Sequence, residues 1–218
     1  MSKTFKDLAD MRLSYQKGGL NEDEVEKSPF EQFDIWFEEA KKADLTEPNA
    51  MTISTVSPEL TPTSRTVLLK YFDETGFVFF TNYTSEKSQH IDNNPNVSLH
   101  FLWLDLERQI RIEGVAKKIS TAESIKYYSR RPKGSQIGAW VSHQSEIISS
   151  KSLLKAQYEK LMAKFKDGEV PFPDFWGGYR VEPNKVEFWQ GGENRLHDRI
   201  VYELDKDQQA WLIRRLAP

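Results

Sequence analysis

Residues 64–82 read Ser64-Arg-Thr-Val-Leu-Leu-Lys-Tyr-Phe-Asp-Glu-Thr-Gly-Phe-Val-Phe-Phe-Thr-Asn82. Two apolar, β-branched or aromatic runs, Ser64–Tyr71 and Gly76–Asn82, flank Asp73-Glu74-Thr75-Gly76, a cluster of turn formers. That pattern predicts a β-hairpin. Toward the N-terminus, Ala50–Val56 predicts another strand, stopped by the two prolines of Ser57–Pro62. Toward the C-terminus, a short helix over about 85–93 ends at Asn93-Asn94-Pro95. Asn96–Leu104 and Arg108–Ile119 then repeat the apolar, β-branched pattern, and the tail returns to it at about 176–190, 198–204 and 210–215. Six or more strands in largely consecutive hairpin order, with helices at the edges, predict a mainly β chain built on an antiparallel barrel, closed as read from the pattern alone.

The helices carry their own signals. Ser28 followed by Pro29 and Glu31 marks a helix start, and Phe30, Phe33, Phe37 and Ala40 recur at helical spacing over about 29–43, a stripe expected in the core. Thr121–Arg130 predicts a helix broken by Pro132 and Gly134. Lys151–Lys166 predicts a longer one, with Leu154, Tyr158, Leu161, Met162 and Phe165 spaced to pack. Residues 1–27 are polar and expected to be partly mobile. No repeat or low-complexity linker divides the remainder, so 28–218 is expected to form a single domain.

Composition narrows the function classes. The 218 residues include no cysteine, which excludes disulfides and thiolate chemistry. Net charge is −3, from 30 basic and 33 acidic residues spread along the chain, so nothing favours a nucleic-acid or membrane partner. Apolar runs such as Val67–Leu69 are far too short to span a bilayer. The N-terminal stretch is acidic in part and lacks the apolar core of a secretory signal, so a soluble, cytoplasmic protein is expected.

No Walker loop, dinucleotide fingerprint or serine elbow is present. His90, His100, His143 and His197 lack metal-ligand spacing, so no metal site is expected. An organic cofactor would then carry the hard step. Cations stand beside strand ends and turns. Arg65 and Lys70 bracket Thr-Val-Leu-Leu. Ser85 and Lys87 begin the short helix after Phe80-Thr81-Asn82, where a helix N-terminus, a hydroxyl and an ammonium suit a phosphate. Tyr127 and Arg131 fall on one helical face with Ser135 just beyond, a second phosphate grip. Between Phe188 and Arg199, an extended reading aligns Arg195, His197 and Arg199 on one face, where three cationic groups need an anion or an electron-rich partner.

At these residues the chain resembles the pyridoxamine 5′-phosphate oxidase family. The motifs are Arg65–Lys70, Phe80-Thr81-Asn82, Asn94-Pro95, Ser135–Trp140, Phe175–Gly178, Glu187–Arg199 and the terminal Arg215-Leu216-Ala217-Pro218, and the likeness runs from about Arg12 to the end. The resemblance implies an FMN-binding split β-barrel in a homodimer, with each flavin at the subunit interface. It implies oxidation of pyridoxamine 5′-phosphate and pyridoxine 5′-phosphate by oxygen to pyridoxal 5′-phosphate, with release of hydrogen peroxide and, from the amine, ammonia. Arg65 and Lys87 would hold the FMN phosphate, with Lys70 and Ser85 beside it. Phe80, Thr81, Gln109, Gln144, Ser145, Trp189 and Arg199 would contact the flavin elsewhere. Substrate phosphate would fall to Lys70, Tyr127, Arg131 and Ser135. Arg195 and His197 would face the pyridine ring, and Arg12 and Tyr15 would close over it. Two expectations stay open at this level. Arg65 and Lys70 lie five apart, which on a straight strand puts them on opposite faces. Glu86 stands where relatives commonly carry a second basic residue. The alternatives are a split-barrel flavin reductase and a non-catalytic carrier of pyridoxal phosphate or flavin.

Overall fold

The computed structural model describes residues 14–142 and 144–218. Five helices and nine strands alternate along them: α1 Pro29–Lys42, β1 Ala50–Val56, β2 Pro62–Leu68, β3 Tyr71–Asp73, β4 Gly76–Asn82, α2 Glu86–Asn93, β5 Asn96–Trp103, β6 Arg108–Lys118, α3 Thr121–Ser129, α4 Lys133–Val141, α5 Lys151–Lys164, β7 Trp176–Gln190, β8 Asp198–Asp205 and β9 Ala210–Arg215. The strands hydrogen-bond in the order β2-β1-β5-β6-β7-β4-β3, with β8 on β7 and β9 on β8. The main path has two ends, β2 and β3, so the ladder is split rather than closed. Two compact units result, one comprising residues 49–101 and 111–185, the other residues up to 48 with 102–110 and 186–218.

The hairpin read from residues 64–82 is real at its turn and different in its first strand. Asp73 pairs with Gly76 across the turn, and the Gly76 φ of 146° is one that side chains with a Cβ rarely adopt. The expected single strand Ser64–Tyr71, however, breaks at Leu69-Lys70. Its first part, β2, pairs with β1 from Ala50↔Leu68 to Val56↔Pro62. Its last residues form β3 and pair with β4. The run changes partner because the Leu69 amide donates to Asn49 O and the Lys70 amide to Val78 O. Periodicity registers apolar character but not which neighbour a strand chooses.

Helix α1 starts as its sequence dictates: the Ser28 hydroxyl accepts from the Phe30 amide and Pro29 opens the first turn. Phe30, Phe33 and Ala40 are buried together with Trp36. Phe37 is half-buried and stacks on Phe33 at 5.7 Å. Helix α4 was not expected, because Pro132 and Gly134 read as breakers. Pro132 instead occupies the cap position ahead of Lys133, where a missing amide costs no helical bond. Gly134 permits a close approach, since a Cβ there would lie 2.7 Å from the Tyr158 hydroxyl of α5. Ile137 and Val141 of α4 are buried with Val170, and Leu154, Tyr158, Leu161 and Phe165 pack against them. Met162, expected to pack with that set, is exposed. Among the described residues no helix is long and apolar enough to cross a membrane.

Candidate active site

The first unit holds a cavity of about 970 Å³, lined by the ends of β2 and β4, the start of α2, and the segments around α3 and α4. Strands β1 and β2 set one of its cations, Arg65. Their register places Thr55 opposite Thr63, and both hydroxyls accept from the Arg65 guanidinium: Nη1 donates to Thr55 Oγ1 at 2.7 Å, Nη2 to Thr63 Oγ1 at 2.6 Å. The buried His90 of α2 lies behind them, its Nδ1 3.1 Å from Thr55 Oγ1. These neutral acceptors fix the guanidinium plane without cancelling its charge. Burial pulls the Arg65 pKa below its usual value.

Beside Arg65, the first turn of α2 presents Lys87. Its ammonium is buried and donates to Gln144 Oε1 at 2.8 Å, Thr81 Oγ1 at 3.1 Å and Ser85 Oγ at 3.3 Å. Burial, with Arg65 nearby, lowers its pKa to about 8. Thr81 also donates to Gln144 at 3.0 Å. Ser85 does not line the cavity. Its side chain is fully buried and its hydroxyl donates to Asn82 O at 2.7 Å. Ser145, in left-handed backbone at φ 76°, accepts from the Glu86 amide at 3.3 Å. The Glu86 carboxylate stands 3.7 Å from Arg65 Nη2.

Tyr127, Arg131 and Ser135 line the same cavity, as does Lys70. Arg131 lies beyond the end of α3 rather than on it, its amide donating to Tyr128 O. Its guanidinium stacks over Trp176 at 4.7 Å, and Tyr127 stacks on Phe80 with ring centres 3.9 Å apart. Arg131 Nη1 is buried with no hydrogen-bond partner, a costly state for a charged donor. Burial lowers the Arg131 pKa and raises that of Tyr127. The break at Leu69 resolves the parity of Arg65 and Lys70: Lys70 has left the strand, and both line one cavity.

The second unit carries the remaining expected residues. Tyr15 meets Trp189 and His197 edge-on, each at 5.8 Å between ring centres, and Trp189 lies 4.6 Å from His197. His197 Nδ1 accepts from the Gly192 amide at 3.1 Å, which leaves Nε2 to carry the proton of a neutral ring. The expected extended face of Arg195, His197 and Arg199 is not formed. Glu193–Arg195 is a 3₁₀ turn in which Asn194 and Arg195 have positive φ. Arg195 is exposed at that turn, while Arg199, in β8, is paired. Its Nε donates to the buried Glu187 at 2.8 Å and its Nη1 to Ala217 O at 2.8 Å. The carboxylate that balances Arg199 thus comes from β7, out of reach of a local reading. Gln109 is half-buried in β6. Arg12 lies outside the described residues, as does His143.

Thr55, Thr63, His90 and Glu187 were missed as supports. Thr55 and Thr63 were readable only as a cross-strand threonine pair, once the β1–β2 register is known. Among the described residues, no group of three or more His, Asp or Glu is placed to hold a metal ion.

Residues 37–164 match the family model described as pyridoxamine 5′-phosphate oxidase. The chain belongs to the pyridoxamine 5′-phosphate oxidase family. Residues 176–218 match a second model, the pyridoxine 5′-phosphate oxidase C-terminal dimerisation region. A pyridoxine/pyridoxamine 5′-phosphate oxidase 2 of Hydrogenovibrio crunogenus is 61% identical, the match covering 97% of this chain and 98% of that one. The pyridoxine/pyridoxamine 5′-phosphate oxidase of Aliarcobacter butzleri is 58% identical over 97% of this chain and its own whole length. Among solved structures, PhzG of Burkholderia lata, in complex with tetrahydrophenazine-1-carboxylic acid, superposes with a TM-score of 0.85 at 28% identity, covering 90% of this chain and 95% of that one. A pyridoxamine 5′-phosphate oxidase-related, FMN-binding protein of Nostoc punctiforme shares the fold at a TM-score of 0.70 and 15% identity, over 88% and 98% of the two chains. This family membership fits the split ladder and the cation-lined cavity described above.

Proposed function

We propose that this member of the pyridoxamine 5′-phosphate oxidase family is an FMN-dependent cytoplasmic oxidase. It converts pyridoxamine 5′-phosphate and pyridoxine 5′-phosphate to pyridoxal 5′-phosphate with oxygen as acceptor, water releasing the amine nitrogen as ammonia in the first case. The observation that carries this reading is the donor set of one cavity. Arg65 and Lys87 stand beside the hydroxyl and amide groups of Thr81 and Gln144, and Lys70, Tyr127, Arg131 and Ser135 line the same space. A flavin mononucleotide and a phosphorylated pyridine bring two phosphates and two flat rings, which such a set suits.

In this reading Arg65 and Lys87 hold the FMN phosphate, and Phe80, Thr81, Gln144 and Ser145 the rest of the cofactor. Trp189, Arg199 and Gln109 are assigned to the flavin as well. Bound FMN supplies the hydride acceptor, which oxygen regenerates with release of hydrogen peroxide. The protein's own part is placement and electrostatics. Lys70, Tyr127, Arg131 and Ser135 anchor the substrate phosphate. The unpartnered Nη1 of Arg131 gains its missing acceptor there, and Trp176 beneath it orients the guanidinium plane. Arg195 and His197 orient the pyridine ring, and Tyr15, edge-on to His197 and Trp189, closes over it. With Nδ1 engaged by the Gly192 amide, His197 presents Nε2–H as its outward group. The match of residues 176–218 to a dimerisation region supports a homodimer, and in this reading the flavin is assigned to its interface.

Oxygen uptake by the purified, FMN-loaded protein on adding pyridoxamine 5′-phosphate tests the reading. The expected result is uptake matched by pyridoxal 5′-phosphate formed, from a yellow dimer with one FMN per subunit. A monomer that takes up no FMN would overturn it. A flavin reductase would consume a nicotinamide donor instead, and a carrier would show no turnover.

A further inference from the structure

Glu86 is the one carboxylate among the described residues that line the cavity. Its side chain lies 3.7 Å from Arg65 Nη2. It belongs to the first turn of α2, where the helix dipole favours an anion, and its own amide is engaged by Ser145 Oγ. Among the described residues Arg65 donates hydrogen bonds to neutral oxygens of Ile53, Thr55 and Thr63, and Glu86 is the group that opposes its charge. Lys87 adjoins Glu86 in sequence, and the carboxylate acts to raise the lysine pKa against the larger effect of burial.

We infer that Glu86 is a resident anion competing with the cofactor phosphate for Arg65, and so sets the strength and selectivity of FMN binding. The inference rests on the assignment of Arg65 and Lys87 to that phosphate. A phosphate arriving there shares Arg65 with a fixed negative charge at the same helix end. Repulsion between the two anions holds FMN affinity below what the cations alone would give. Riboflavin, which has the same ring system and no phosphate, does not feel the competition. Glu86 is solvent-exposed, so the effect is screened and modest.

The test is flavin fluorescence titration of the full-length, flavin-stripped protein with FMN and with riboflavin, at low and high salt. Glu86→Gln is expected to tighten FMN by about two- to fivefold, the range for a partly exposed charge interaction. Riboflavin affinity should not change, and the FMN gain should shrink in high salt. Glu86→Ala, which removes the carboxylate by truncation, should move FMN the same way. An unchanged FMN affinity in both variants, or an equal gain for riboflavin, overturns the inference. If the unaltered protein binds FMN no better than riboflavin, it is the underlying phosphate assignment that fails.

Discussion

The ammonium of Lys87 donates to the side-chain oxygen of Gln144 across 2.8 Å, joining residues 57 positions apart. Its hydrogen-bond partners among the described residues are neutral: Thr81, Ser85 and Gln144. Burial, with the Arg65 guanidinium nearby, makes that cation lose its proton more easily and lowers its pKa to about 8.

The sign of the resulting pH dependence follows. If the FMN phosphate is held by Lys87, binding favours the protonated lysine, so affinity is full well below pH 8 and declines as pH rises through it. Between pH 8 and 9 the dissociation constant for FMN should rise by roughly fivefold, approaching tenfold per pH unit only at higher pH. Lys87→Arg, charged throughout that range, should flatten the dependence. Stability runs the other way. The native lysine pKa lies below its unfolded value, so unfolding takes up a proton between about pH 8 and 10.5, and this group's contribution to stability rises with pH across that window. FMN titrations at pH 7, 8 and 9 check the first claim, and a rise of affinity with pH would refute it.

Arg131 has a buried, unpartnered Nη1 and a tryptophan beneath its guanidinium. Arg131→Ala removes a charge-assisted phosphate contact of roughly 1.5–3 kcal/mol. KM for pyridoxamine 5′-phosphate should therefore rise about ten- to a hundredfold, with FMN still bound. Loss of flavin with unchanged substrate saturation would mean the two phosphates have been exchanged in this account.

Arg195 and His197 are placed by a tight turn and by the Gly192 amide. Arg195→Leu and His197→Leu should each slow flavin reduction in anaerobic single turnovers. Reoxidation by oxygen should stay nearly unchanged, because no pyridine ring is then being aligned. Stopped-flow absorbance resolves the two half-reactions, and unchanged reduction in both variants would leave these residues structural.

Ile137 is fully buried between α4 and α5. Ile137→Ala should cost about 2–5 kcal/mol, the range for a large-to-small change in a core, seen as a lower denaturation midpoint. A cost below about 1 kcal/mol would mean that α4 packs more loosely than its burial implies.

Much of this protein was legible before any tertiary contact was known. The turn at Asp73–Gly76, the Ser28 cap, the stripe of α1 and most strand ranges are local: backbone preference and side-chain alternation act over a few residues. The motifs from Arg65 to Arg199 likewise named a family, because a long run of matching residue types needs no geometry to be recognised. What local reading could not supply was partnership. The change of neighbour at Leu69-Lys70, the α4 helix behind Pro132, the Glu187 carboxylate balancing Arg199, and the contact of Glu86 with Arg65 all depend on groups distant in sequence or on the path of the backbone. Periodicity says which face of a segment is buried but not what it is buried against. The charge, hydrogen-bond and pKa state of a site is set by those neighbours, and only the tertiary structure brings them together.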